Sequence, residues 1–126
     1  MKYKRKKDKD FWQLARSYLH DYMPVTRNLS DKSVEAYKQS LKTYLQFLEI
    51  KKSLVEEQVT FEAFSRENIK DFIGWLKEKG YAQKTINLKL TAIRSFLKYC
   101  SDEDFELRGI YADVYSKKAK RRKTPH

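Results

Sequence analysis

The chain has 126 residues, enough for one domain built around one core. Three glycines and two prolines leave little material for the tight turns of an all-β fold, and no apolar run approaches the ~20 residues that span a bilayer. The formal charge of +11 is concentrated at the ends, with +4 over residues 1–10, +6 over residues 117–123 and only +1 between them. Basic tails flanking a near-neutral globule suit a polyanion partner, and they also suit a solubilising role. The basic N-terminus is not followed by an apolar segment, so no signal peptide is expected. Cys100 is the single cysteine and cannot form an internal disulfide. Its helical spacing behind Ile93 and Leu97 points to a buried thiol. A soluble, cytoplasmic protein is expected, with no membrane association, cofactor or metal.

Four stretches repeat apolar residues at intervals of three and four, the mark of amphipathic helices. The first runs from about Asp10 to Met23, with Phe11, Leu14, Ala15, Tyr18, Leu19 and Tyr22 on its apolar side. Pro24 should end it, because proline disfavours helix at the residue before it. The second opens at Ser30, whose hydroxyl can accept from an unpaired first-turn amide. Val34, Tyr37, Leu41, Tyr44, Leu45 and Leu48 mark its inner face, and Lys32, Glu35, Gln39, Lys42 and Gln46 the outer one. Before the third helix, Val59, Phe61 and Phe64 are placed to plug the core.

The third helix is capped by Ser65, buries Ile69, Phe72, Ile73 and Leu76, and stops at Gly80, which can take the left-handed conformation that closes a helix. The fourth spans about Gln83 to Cys100, with Ile86, Leu90, Ile93, Leu97 and Cys100 inward. An acidic link, Ser101 to Glu106, and a short helix around Ile110 to Tyr115 complete the fold. The expected architecture is all-α, a bundle of four main helices. It divides into a basic tail at 1–9, a helical domain at 10–116 and a basic tail at 117–126, both tails flexible. No internal repeat is visible.

The fourth helix differs from the others in charge. Residues 82–100 hold Lys84, Lys89, Arg94 and Lys98 and no acid, whereas the second helix sets Lys32, Lys38 and Lys42 against Asp31, Glu35 and Glu49. Lys84, Asn87, Thr91, Arg94 and Lys98 recur at three and four, so they share the side opposite Ile86, Leu90, Ile93 and Leu97. The cations can pair with phosphates, and Asn and Thr can read base edges. The helix start, Gln83-Lys84-Thr85, presents backbone amides that favour an anion. Such a helix fits the DNA major groove, about 12 Å wide. An ordinary solvated face that lacks acids is the competing reading. The block Lys117, Lys118, Lys120, Arg121, Arg122 and Lys123 repels itself, should be extended, and can follow a phosphate backbone. A nuclear-localisation signal would have the same composition.

Two motifs carry a family resemblance. The first is Leu29-Ser30-Asp31-Lys32-Ser33, then Tyr37, Leu41 and Phe47-Leu48. The second is Gly80, Thr85-Ile86-Asn87, Leu90, Ile93-Arg94-Ser95-Phe96 and Tyr99. In this order the chain resembles, over roughly Phe11 to Cys100, the N-terminal core-binding (SAM-like) domain of tyrosine recombinases, the phage-integrase and Xer-like proteins. The resemblance implies a helical bundle on one side of duplex DNA, with helices two and four toward the major groove. A linker would lead to a separate catalytic domain, the two domains forming a C-shaped clamp. By position it nominates Lys32 and Ser33 on helix two, and Lys84, Asn87, Lys89, Thr91 and Arg94 on helix four. Lys117 to Lys123 would begin the interdomain linker.

Two departures stand out. Ala82 occupies the usual hydroxyl cap of helix four, and Arg108-Gly109-Ile110 replaces an Asn-Pro pair.

In that family the attacking tyrosine and its arginines, lysine and histidines lie in the C-terminal domain, so no catalytic residue is expected here. Tyr18, Tyr22, Tyr37 and Tyr44 sit on apolar faces, and two isolated histidines, His20 and His126, build neither a metal site nor a proton relay. The implied function is DNA binding at a recombination core site of a mobile element. The partners would be duplex DNA and other recombinase subunits, with the domain by itself a monomer. A helical protein-interaction module and a non-specific binder acting through its tails are the alternatives.

Overall fold

The computed structural model describes residues 11–112, in which the regular elements are all helices and no strand occurs. The first helix, α1, is α-helical over residues 11–17 and continues as a π-helix over Tyr18–Thr26. Three longer helices follow: α2, Asp31–Lys52; α3, Arg66–Glu78; and α4, Gln83–Glu103. Short 3-10 turns at Glu56–Gln58 and Phe61–Ala63 join α2 to α3, and one at Phe105–Leu107 leads into α5, residues 108–112. The basic tails lie outside the described residues.

The expected stop at Pro24 does not occur. An α-helix rejects proline because the ring meets the carbonyl four residues back. The π winding closes each turn five residues back and so passes Pro24. The Arg27 amide donates to the Tyr22 carbonyl at 2.8 Å, five residues earlier. The same winding brings residues five apart onto one side, and Tyr18 and Met23 are both buried. The helix closes after Thr26, where Asn28 takes a left-handed φ of 53° and Leu29 N donates to Met23 O at 3.0 Å.

The serine caps form as expected. Ser30 Oγ accepts from Ser33 N at 3.2 Å, and Ser65 Oγ accepts from Asn68 N at 3.1 Å. Each is worth about 1 kcal/mol to its helix. Gly80 closes α3 with φ 89°. Ala82 offers no side-chain cap to α4, and the Ile86 amide bonds the Ala82 carbonyl directly. At its other end α4 outlasts the expected stop at Cys100 and takes in Ser101, Asp102 and Glu103. The short helix expected around Ile110 to Tyr115 begins earlier, at residue 108, and residues 113–115 lie outside the described part.

The core is strongly aromatic. Tyr44 of α2 lies 4.9 Å, centroid to centroid, from both Phe64 and Phe72, and its hydroxyl donates to the Ala63 carbonyl at 2.7 Å. Burial pushes that phenol well above the ordinary tyrosine value. Phe47 packs at a tilt against both Phe72 and Trp75, tying α2 to α3, and Lys52 pairs with Asp71 across the same seam at 2.8 Å. Val59, Phe61 and Phe64 plug the core as expected. On the far side, Phe11 meets Phe61, Phe64 and Phe96, and Tyr22 lies on Tyr99 at 4.7 Å. Cys100 is fully buried, and burial pushes its thiol up. An apolar cleft of about 200 Å³ remains between α1 and α2, floored by Trp12, Leu19, Leu41 and Leu45 and edged by Lys38, Lys42 and Glu56.

Candidate nucleic-acid interface

The fold holds α4 from two sides and leaves a third open. Ile86, Leu90, Ile93 and Leu97 enter the core. Ser95 and Phe96 meet α1, where Tyr18 Oη donates to Ser95 Oγ at 2.8 Å. The remaining arc carries Gln83, Lys84, Asn87, Thr91 and Lys98, all exposed, and the half-buried Arg94. These six expected residues therefore do share one surface. Gln83 Nε2 donates to Asn87 Oδ1 at 3.0 Å, which turns the Asn87 carboxamide oxygen toward the helix start. The Arg94 Nε is shielded from solvent, and the side chain is engaged within the protein. Lys98 reaches Asp102 at 3.5 Å, one turn on. Its charge is thereby shared with an acid that the helix gains by running past Cys100.

The start of α4 is electrostatically unlike those of its neighbours. Asp31 stands in the first turn of α2 and Glu67 in that of α3, each complementing the positive end of the helix dipole. The first turn of α4 holds no acid, and Ala82 supplies no capping oxygen. Positive potential from the amides of residues 83–85 thus adds to the Lys84 ammonium, which suits an anion such as a phosphate.

Thr85 and Lys89 stand elsewhere. Lys89 lies two residues beyond Asn87 and so about 200° around the helix from it. It is half-buried in the seam between α4 and α2, its Nζ 3.5 Å from Thr43 Oγ1 and 5.6 Å from the Tyr81 ring centroid. Thr43 in turn donates to the Gln39 carbonyl at 2.9 Å, which leaves its oxygen to face the ammonium. Desolvation in this seam lowers the Lys89 pKa. Lys32 is exposed on the same side of α2 as Thr43, eleven residues earlier. Ser33 is half-buried and committed to the cap, giving its amide to Ser30 and taking the Ser30 hydroxyl at 3.2 Å.

Sequence reasoning missed Thr43 and Tyr81. The spacing of Thr43 from Lys32 was a usable signal, whereas the approach of Tyr81 comes from the turn after Gly80. Lys117, Lys118, Lys120, Arg121, Arg122 and Lys123 lie outside the described residues. Among the described residues no three His, Cys, Asp or Glu side chains converge on a metal site, and no helix is long and apolar enough to cross a membrane.

Residues 16–104 match the family model described as the phage integrase, N-terminal SAM-like domain. The tyrosine recombinase XerD of Oceanobacillus iheyensis is 31% identical over 78 residues, covering 62% of this chain and 25% of that protein. The tyrosine recombinase XerC of Herpetosiphon aurantiacus is 33% identical over 79 residues, 62% of this chain and 24% of its own length. That of Listeria innocua is 28% identical over 92 residues, 73% and 29% respectively. The chain thus matches about a quarter of the length of these relatives. No solved structure matches it.

Proposed function

The chain belongs to the phage integrase N-terminal SAM-like domain family, and from that premise we propose that it binds duplex DNA at a recombination core site, as the core-binding domain of a tyrosine recombinase. The observation that carries the reading is the outer face of α4, where Lys84, Asn87, Thr91 and Arg94 share one surface with no acid before Asp102. Lys84 and Arg94 supply phosphate contacts that position the helix. Asn87 and Thr91 supply the groups that can read base edges in the major groove. Lys89 and Lys32 add charge along the α2–α4 seam, and the basic tail at 117–123 adds affinity with little discrimination. Strand cleavage belongs to a catalytic domain of the kind that the family's whole enzymes carry, and the domain by itself acts as a monomer in the cytoplasm.

A salt-dependent titration of the chain with duplex DNA tests this. A candidate attachment site from the flanks of the encoding element is compared with a scrambled duplex of equal length. The reading expects tighter binding to the site that survives moderate salt. Equal and steeply salt-sensitive binding to both would assign the affinity to the tails and remove α4 as a reader.

A second reading, a module that joins recombinase subunits, draws on the apolar cleft between α1 and α2. It expects the chain to self-associate without DNA, which sedimentation across a concentration range would detect.

A further inference from the structure

Leu88 is 59% exposed in the second turn of α4, where the helix is otherwise polar on its open side. The other exposed large aliphatic residues, Val25, Ile50 and Val55, stand near helix ends or in a loop. Leu88 instead sits inside the candidate interface. Lys84, Asn87, Leu88 and Thr91 follow one another at the spacing i, i+3, i+4 and i+7, which makes them a single patch over the first two turns. All four are exposed. Their inward neighbours Ile86, Leu90 and Ile93 are buried, so the core is complete without Leu88.

The floor of the major groove offers one apolar group to such a side chain, the C5-methyl of thymine. Asn87, one residue away, carries the carboxamide that can pair with adenine N6 and N7. Lys84 supplies the charge that holds the patch against a phosphate backbone. We propose that Leu88 is a specificity-determining residue that packs on a thymine methyl, with Asn87 and Thr91 beside it, so that the patch selects an A·T pair in the DNA. This inference rests on α4 lying in the major groove, as set out under the proposed function.

The test begins by selecting duplexes from a randomised pool with the 126-residue chain and deriving the preferred site. Each thymine of that site is then replaced by deoxyuridine, which removes the methyl and leaves the pairing edge intact. Affinities are measured for the wild-type chain and for Leu88→Ala. Leu88 stands outside the core, so this variant should fold with unchanged thermal stability. One replacement should weaken the wild type about fourfold, the value of one buried methyl-sized group, and leave Leu88→Ala unaffected. A Leu88→Met variant should keep most of the sensitivity. A preferred site at which no thymine methyl matters, or matters equally in both proteins, would overturn the role of Leu88 while leaving base reading by α4 in place. A pool that yields no preferred sequence would overturn both.

Discussion

Helices α3 and α4 pack on the same core in similar ways and present opposite faces to solvent. On α3, Ser65 caps the first turn, Glu67 complements the dipole, and Lys77 stands at the negative end. Its outward charges alternate in sign, and Asp71 is paired with Lys52. On α4 the cap is alanine, the first turn holds no acid, and the open side is cationic as far as Lys98. The first helix satisfies its own ends. The second leaves its positive end with neither a side-chain cap nor a first-turn acid. That difference separates a helix that stabilises the fold from one that offers a surface, although both bury a comparable apolar stripe.

The largest expected effects should show the inner sides to be equivalent. Phe72 of α3 and Phe96 of α4 are both fully buried among other rings. Truncating either to alanine should cost about 3–5 kcal/mol of stability by denaturant unfolding. A much smaller loss at Phe96 would mean that α4 is held less firmly than its packing indicates.

The outer sides should then diverge. Asn87→Ala is expected to cost about 1–3 kcal/mol in discrimination between preferred and mismatched duplex, read by competition binding. Lys70→Ala, on the exposed side of α3, should leave that discrimination unchanged. Equal effects from the two would erase the contrast.

A smaller effect concerns the caps. Ser65→Ala should lower stability by about 1 kcal/mol, and Ala82→Ser should raise it by a similar amount, both measured by chemical denaturation. Ala82→Asp should also stabilise the helix while weakening DNA binding, because it places an acid where a phosphate is expected. Tighter DNA binding by that variant would remove the anion-binding role of the α4 start.

Much of this contrast is legible in the sequence, and the exceptions have physical causes. Ser30, Ser65 and Gly80 bound their helices as their chemistry requires, since caps depend on local groups alone. The π winding through Pro24 escapes a reading based on α periodicity, because the residues that close each turn are then five apart. The acidic run after Cys100 reads as a link, yet Asp102 falls one turn beyond Lys98 and their pairing supports the helix there. Phe47, Trp75 and Phe96 are buried although they lie off the main stripes, because their helices are flanked on more than one side. In the candidate interface, spacing brings Lys84, Asn87, Thr91, Arg94 and Lys98 together correctly. Lys89 joins them only through the family's motif, and its angle around the helix sends it to the seam with Thr43.

The most direct test of the contrast is a map of backbone amide shifts by NMR as duplex DNA carrying the preferred site is added to the chain. The account predicts that the shifts concentrate on residues 83–98 and on the Lys32–Thr43 side of α2, while the outer face of α3 stays silent. Shifts centred on α3, or confined to residues outside 11–112 with α4 unmoved, would contradict it.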